Sequence, residues 1–257
     1  RALDAQRGLN TGGFISGYRG SPLSGIDQQL WRARTHLDAR NVTFQPGVNE
    51  ELAATAVWGS QQVNMYSGAK VDGVFGMFYG KKMGIDRSAD ALHHANAAGT
   101  SPLGGVLALS GDDHAARSAS LACQGELVMT AAMMPVMNPS SIQDLLDLGL
   151  HGIAMSRYSG LWVALIALAD TMDSSGVVNV DPARLSICRP IDHVDPRLEA
   201  ELNTALKLST RHATEALTRS LSLPAANAVA RASRPHPKPA LTYHVPSHLH
   251  ALQPPQH

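Results

Sequence analysis

The chain has 257 residues, enough for one large α/β domain or two small ones. Its 21 Lys and Arg equal its 21 Asp and Glu, at a sequence pI of about 7.4, a balance that leaves no electrostatic footprint for nucleic acid or an anionic membrane. Only two cysteines occur, Cys123 and Cys188, in no CxxC pattern, so an iron–sulfur cluster or structural zinc would find too few ligands, and a reducing compartment such as the cytoplasm is the simplest context.

Taken in chain order, short β-like runs alternate with helical patterns. No signal-peptide pattern opens the chain, and an Arg in first place points to a natural start further upstream. GGFIS, from Gly12, reads as a strand leading into the loop GYRGSP. A helix is expected from about Ser24 to Asp38, with Ile26, Leu30, Ala33 and Leu37 on one face. VTFQ, from Val42, is the next strand. PGVN follows, and then a helix from Glu50 to about Tyr66, with Asn49 placed to cap it and two acids in its first turn to complement the dipole. DGVFGMFY reads as a strand ending at Gly80, and Ser88 as the cap of a short helix through Asn96. GGVLALS is the clearest buried strand, running into GDDH and a helix expected from about Ala115 to Ala131. MPVMN reads as a strand, and Ser140 or Ser141 as the cap of a helix to Leu150. The longest apolar run, Leu161 to Ala169, is too short to span a bilayer and reads as part of a buried helix to Asp173, before a strand VVNV.

Such alternation implies an α/β fold, a mostly parallel sheet with helices on both faces. Ligands in such sheets bind beyond the carboxyl ends of the strands. The loops Gly17 to Pro22, Pro46 to Glu51 and Gly111 to His114 should therefore converge on one edge, turning Glu50 from a helix-capping acid into a carboxylate facing a cleft. From about Pro190 the character changes. Leu198, Leu202, Leu206 and Ala213 keep helical spacing, so residues 183–232 read as a helical extension. Residues 233–257 are rich in Pro and His without periodicity and read as a disordered tail or text from a shifted reading frame, although a His-rich stretch can also bind metal. The charged fraction of 16% is below the usual quarter, as expected of a chain covered by a partner subunit or a further domain.

No GxGxxG follows a strand, and neither a P-loop nor a GxSxG elbow is present. Asp112, Asp113 and His114 are possible metal donors, but three adjacent residues cannot all point inward. No protein-only metal site is expected, and the two acids read equally as caps of the following helix. His93 and His94 read as surface or interface residues.

GFISGYRGSPLSGID, FQPGVNEELAATAVWGSQQ, VDGVFGMFYG with its following DRS, HANAAGTS, GGVLALSGDDH and PVMNPSSIQDLLDLGLHGIAMSRYSGLWVAL together resemble the amino-terminal part of the long, fused indolepyruvate ferredoxin oxidoreductases. These belong to the 2-oxoacid:ferredoxin oxidoreductase group. The resemblance covers about residues 8–182 and implies a partial copy of the thiamine-diphosphate-binding fold, namely the domain that holds the cofactor's aminopyrimidine ring.

In that family a glutamate hydrogen-bonds N1′ of the pyrimidine so that the thiazolium C2 can lose its proton and attack the 2-keto carbon. CO2 leaves, two electrons pass singly through iron–sulfur clusters to ferredoxin, and an acyl-CoA is formed. Glu50 matches the glutamate in VNEE, with Glu51 as the register alternative. YRGSP matches the turn that presents backbone amides and a hydroxyl, so Gly20 and Ser21 are implied cofactor and substrate contacts. Arg19 is suited to a keto-acid carboxylate or to a surface ion pair. Asp112 and His114 are implied to stand behind these groups. The diphosphate and its Mg2+ are implied to sit on a separate pyrophosphate-binding domain, with the iron–sulfur cluster also elsewhere in the full enzyme. The partners implied are the rest of the fused chain, ferredoxin and a second copy in a homodimer.

Two departures from the family stand out. Lys81, Lys82 and Met83 replace a glycine–proline stiffening after YG, and Ala122, Cys123, Gln124, Gly125 and Glu126 stand where the family reads AHQSE. The second leaves a non-catalytic remnant or scaffold of the same fold as the alternative. A hydrolase or metal enzyme built on Ser21, Asp112 and His114 is a further alternative that lacks its signature motifs.

Overall fold

The computed structural model describes residues 1–181, together with Arg184, Leu185 and Ile187. Apart from those three residues, the expected helical extension lies outside the described residues, as does the Pro/His-rich tail.

Six strands form one sheet: β1 (Thr11–Gly17), β2 (Val42–Phe44), β3 (Gly73–Lys81), β4 (Val106–Asp112), β5 (Val136–Met137) and β6 (Trp162–Leu168). Their order is β2-β1-β3-β4-β6-β5 and every pairing is parallel. The helices are α1 (Ala2–Gln6), α2 (Ser24–Arg32), α3 (Arg34–Asp38), α4 (Glu50–Ser60), α5 (Lys82–Arg87), α6 (Ala89–Ala98), α7 (Glu126–Ala131), α8 (Ile142–Ser159) and α9 (Ala169–Met172).

Parallel strands need crossovers, and crossovers place helices on the sheet faces. The central strands are accordingly buried on both sides, and their alternate residues feed two separate cores. Phe78, Val106, Ala108, Trp162 and Ala164 meet α4, α6 and α7 on one face, through Ala53, Ala54, Val57, Leu92, Ala95 and Met129. Tyr79, Leu107, Leu109, Val163 and Leu165 meet α2 and α8 on the other, through Ile26, Leu30, Leu145, Leu148 and Ile153. The α/β fold expected from the sequence is present, with helices on both faces of a fully parallel sheet.

Four local readings need correction. The run from Leu161 is not a helix but the interior strand β6. An unbroken apolar run of that length fits a doubly buried strand as well as a buried helix, and periodicity cannot separate them. VVNV forms no strand: Val177 and Val180 are exposed, and the segment is tied down by hydrogen bonds between Gln143 and the Asn179 backbone. The helix expected from Ala115 shrinks to α7. Residues 113–125 form a loop instead, because Asp113 accepts the Arg117 and Ser118 amides and its carbonyl takes the Cys123 amide. The Ser88 hydroxyl bonds back to the Gly84 carbonyl and caps nothing, whereas Ser141 caps α8 as one of the two serines expected to, the helix running on past Leu150 to Ser159. Smaller differences are a break at Ala33 between α2 and α3 and the end of α4 at Ser60, followed by a 3-10 turn.

No helix among the described residues is long and apolar enough to cross a membrane.

Candidate functional site

With all strands parallel, the loops after β1, β2, β3 and β4 emerge at one edge of the sheet. Tight backbone approaches lock them together there. The Gly47 amide donates to the Gly17 carbonyl at 2.8 Å, and the Tyr18 amide to the Tyr79 carbonyl at 3.1 Å. A Cβ on Gly20 would sit 3.0 Å from Lys81 Cβ, and one on Gly111 would sit 2.7 Å from Leu23 Cγ. The convergence expected of these three loops is observed.

Glu50 opens α4 behind a well-formed cap, in which Asn49 is extended and its side-chain oxygen accepts the Leu52 amide at 2.8 Å. The two neighbouring acids are not equivalent. Glu51 is exposed, whereas Glu50 is half-buried and turned toward the end of β3 and the start of α5. A helix turns about 100° per residue, which separates them in this way. The Glu50 side chain lies directly over Gly84 and beside Gly80. A Cβ on Gly84 would fall inside 3.0 Å of Glu50 Cγ, Cδ and Oε1, and one on Gly80 would be 3.3 Å from Cγ. Among the described residues nothing hydrogen-bonds or ion-pairs with the Glu50 carboxylate. It is a carboxylate held by shape, with its acceptor capacity free.

A second group stands at the end of β4. Asp112 is fully buried and accepts hydrogen bonds from Ser110 Oγ at 2.8 Å and from the Gly125 amide. Burial pushes its carboxyl above the ordinary range; the Gly125 and Ser110 hydrogen bonds pull the other way, Glu126 adds to the rise and His114 opposes it. His114 Nε2 lies 3.9 Å from Asp112 Oδ2 and 4.0 Å from Glu126 Oε1, although about half of the imidazole is exposed. The donor atoms of Asp112, His114 and Glu126 all lie within 4.8 Å of one another, so together they could hold a divalent cation of the kind that accepts mixed oxygen and imidazole ligands. Glu126 Oε2 is buried without a hydrogen-bond partner among the described residues. Sequence reading missed Glu126 because it lies far from GDDH along the chain. Only the loop closed by the Asp113–Cys123 bridge returns it to the site.

The candidate residues are divided between the sheet faces. Glu50 and Asp112 end on the α4/α6/α7 side, since Gly80 and Asp112 alternate in phase with Phe78 and Ala108. Gly20 and Leu23 pack on the α2/α8 side against Lys81 and Gly111, whose strand neighbours Tyr79 and Leu109 feed that core. Arg19 is exposed and Ser21 half-buried in the loop between, and the described residues provide neither side chain with a hydrogen bond. His93 and His94 are exposed on α6, where His94 stacks on Trp58 and approaches Asp90.

A cleft of about 410 Å³ lies elsewhere, near the amino ends of β1 and β3, lined by Gly12, Phe14, Thr43, Ala56 and Val74. It has no titratable side chain, and the chemistry-bearing residues are at the opposite edge.

Neither a protein-family model nor a curated protein matches this chain.

Proposed function

We propose that the chain is the pyrimidine-binding part of a thiamine-diphosphate-dependent arylpyruvate:ferredoxin oxidoreductase, which decarboxylates 2-keto acids oxidatively to acyl-CoA in the cytoplasm. The observation that carries this reading is Glu50: a half-buried carboxylate at the ligand edge of a parallel sheet, seated against two glycines and without a partner among the described residues. Its position in VNEE, within the long run of resemblance, supports the same role.

The residues present fit the aminopyrimidine half of the cofactor. An acceptor with no partner of its own among the described residues suits a ring nitrogen that must share a proton, and Gly80 and Gly84 leave the room in which its side chain is seated. Thiamine diphosphate, when bound, supplies the carbon that reacts with the keto acid. Glu50 holds the proton at the ring nitrogen. The loop with Gly20 and Ser21, at the same edge of the sheet, offers a hydroxyl, and Arg19 supplies a fork for the substrate carboxylate. The diphosphate, its Mg2+ and the iron–sulfur clusters belong to further domains, with ferredoxin as electron acceptor and a second copy completing a homodimer.

Joined to a pyrophosphate-binding domain of this class, the chain should oxidise indolepyruvate with a viologen acceptor. Glu50→Gln should lower kcat by at least about 100-fold, since a fixed amide cannot exchange the proton. Unchanged turnover in that variant, or turnover by the 257-residue chain unaided, would overturn the reading.

A second reading, a non-catalytic scaffold of the same fold, is favoured by one observation. Cys123 and Gly125 stand where the family has a His and a Ser, and both are buried in settled contacts, Cys123 with its thiol 3.8 Å from the Asp113 carbonyl. Under that reading Glu50→Gln changes stability alone.

A further inference from the structure

We propose that Gly84 is a positioning residue, whose missing side chain makes the slot that fixes the Glu50 carboxylate at the sheet edge; its catalytic consequence rests on the reading above. The backbone does not call for glycine at this position. Gly84 is inside α5, and it is absent from the glycines with positive φ, which are Gly8, Gly68, Gly99, Gly105 and Gly160. A helix interior favours alanine over glycine. What glycine provides here is room. The three atoms nearest to a Cβ at this position all belong to one side chain, and they are Glu50 Cγ, Cδ and Oε1.

The slot has defined walls. Gly80, next to last in β3, leaves space for Glu50 Cγ, and Ile85, fully buried beside Gly84, anchors the first turn of α5 to the core. The Ser88 hydroxyl donates to the Gly84 carbonyl at 2.7 Å, which ties the carbonyl side of that peptide to the following turn. With α5 fixed at both points, the Gly84 backbone cannot retreat, so an added methyl group has to displace the carboxylate. No hydrogen bond among the described residues would draw Glu50 back. Its aim depends on the shape of this one wall.

The test is a double-mutant cycle in the 257-residue chain, read by thermal unfolding. Gly84→Ala alone should lower Tm by no more than about 1–3 °C, since the crowding atoms are the end of an unbonded side chain that can swing aside. In a Glu50→Ala background the same change should leave Tm unchanged or raise it, because all three crowding atoms are gone and alanine favours the helix. Equal shifts in both backgrounds would overturn the proposal. In the enzyme completed with the pyrophosphate-binding domain, Gly84→Ala should reduce kcat on the order of 100-fold with KM within about twofold, as expected of a displaced but intact acid. If the stability cycle shows the coupling but Gly84→Ala and Glu50→Gln both retain full turnover, the slot stands and the assignment of Glu50 to thiamine chemistry falls.

Discussion

Gly125 shows how a single missing methyl group can be built into a site. A Cβ there would fall inside 3.0 Å of Ser110 Oγ and 3.0 Å from Asp112 Oδ1, while the Gly125 amide donates to the other oxygen of Asp112. A serine at this position would collide with Ser110 as this chain stands. Gly125→Ser should therefore destabilise by about 1–3 kcal/mol, and Ser110→Gly in the same chain should recover only part of the loss, since it also takes a hydrogen bond from Asp112, measured by urea unfolding. Glycine at residue 125 thus leaves room for the Ser110–Asp112 pair. No comparable geometric reason is found for Cys123, which only fills a buried place.

At the scale of elements, the most legible parts of the sequence were those in which hydrophobic period and boundary chemistry agreed. Asn49 before a run of small apolar residues marked the start of α4 to the residue, and its cap is present. Asn49→Ala should cost about 1 kcal/mol, seen as a lower urea midpoint with an unchanged slope. β1, β3 and β4 were readable because glycines and polar turns bracket them. β6 was not, since Trp162 to Leu168 carries no alternation: it is covered on both faces, and burial on both faces erases the period of two. The loop 113–125 was misread for a different reason. Its sequence is compatible with a helix, but Asp113 offers the Arg117 and Ser118 amides a better acceptor than the helical carbonyls. The edge location of the candidate site followed from the strand–helix alternation, and Asp112 and His114 from GDDH. Glu126 and the glycine walls around Glu50 depend on long-range approach, which has no local signature.

At the scale of the whole molecule, the amino-terminal helix is tied to the far end of the described chain by a buried pair. Arg157 on α8 donates to Asp4 at 2.7 Å, Thr11 adds a second hydrogen bond at 2.7 Å, and Arg157 also reaches the Gly104 carbonyl. Burial works to raise the Asp4 carboxyl, but the Arg157 and Thr11 hydrogen bonds outweigh it and hold it below the ordinary carboxylate value. Asp112 is shifted the other way. The signs give two separate pH windows. A depressed acid contributes stability that is complete above the unfolded value, about 3.9, and is lost as pH falls through the folded value. A raised acid lowers stability at neutral pH, and that loss is relieved as pH falls from its folded value toward about 3.9. Unfolding free energy should therefore climb on mild acidification and fall below about pH 4. Asp112→Asn should flatten the upper limb, and Asp4→Asn should weaken the lower, to which the depressed Asp113, Asp144 and Asp147 also contribute.

The sheet narrows toward its rims. Its outermost strands among the described residues, β2 and β5, have three and two residues, against seven to nine for the four strands between them. An intruding chain would find too few open amides and carbonyls there to seat a ladder, so the part of the molecule with the strongest β character is also the part no foreign strand can reach. Crowding of native molecules should then produce reversible clusters held by side chains, rather than the fibrous, template-driven growth that a long bare margin invites.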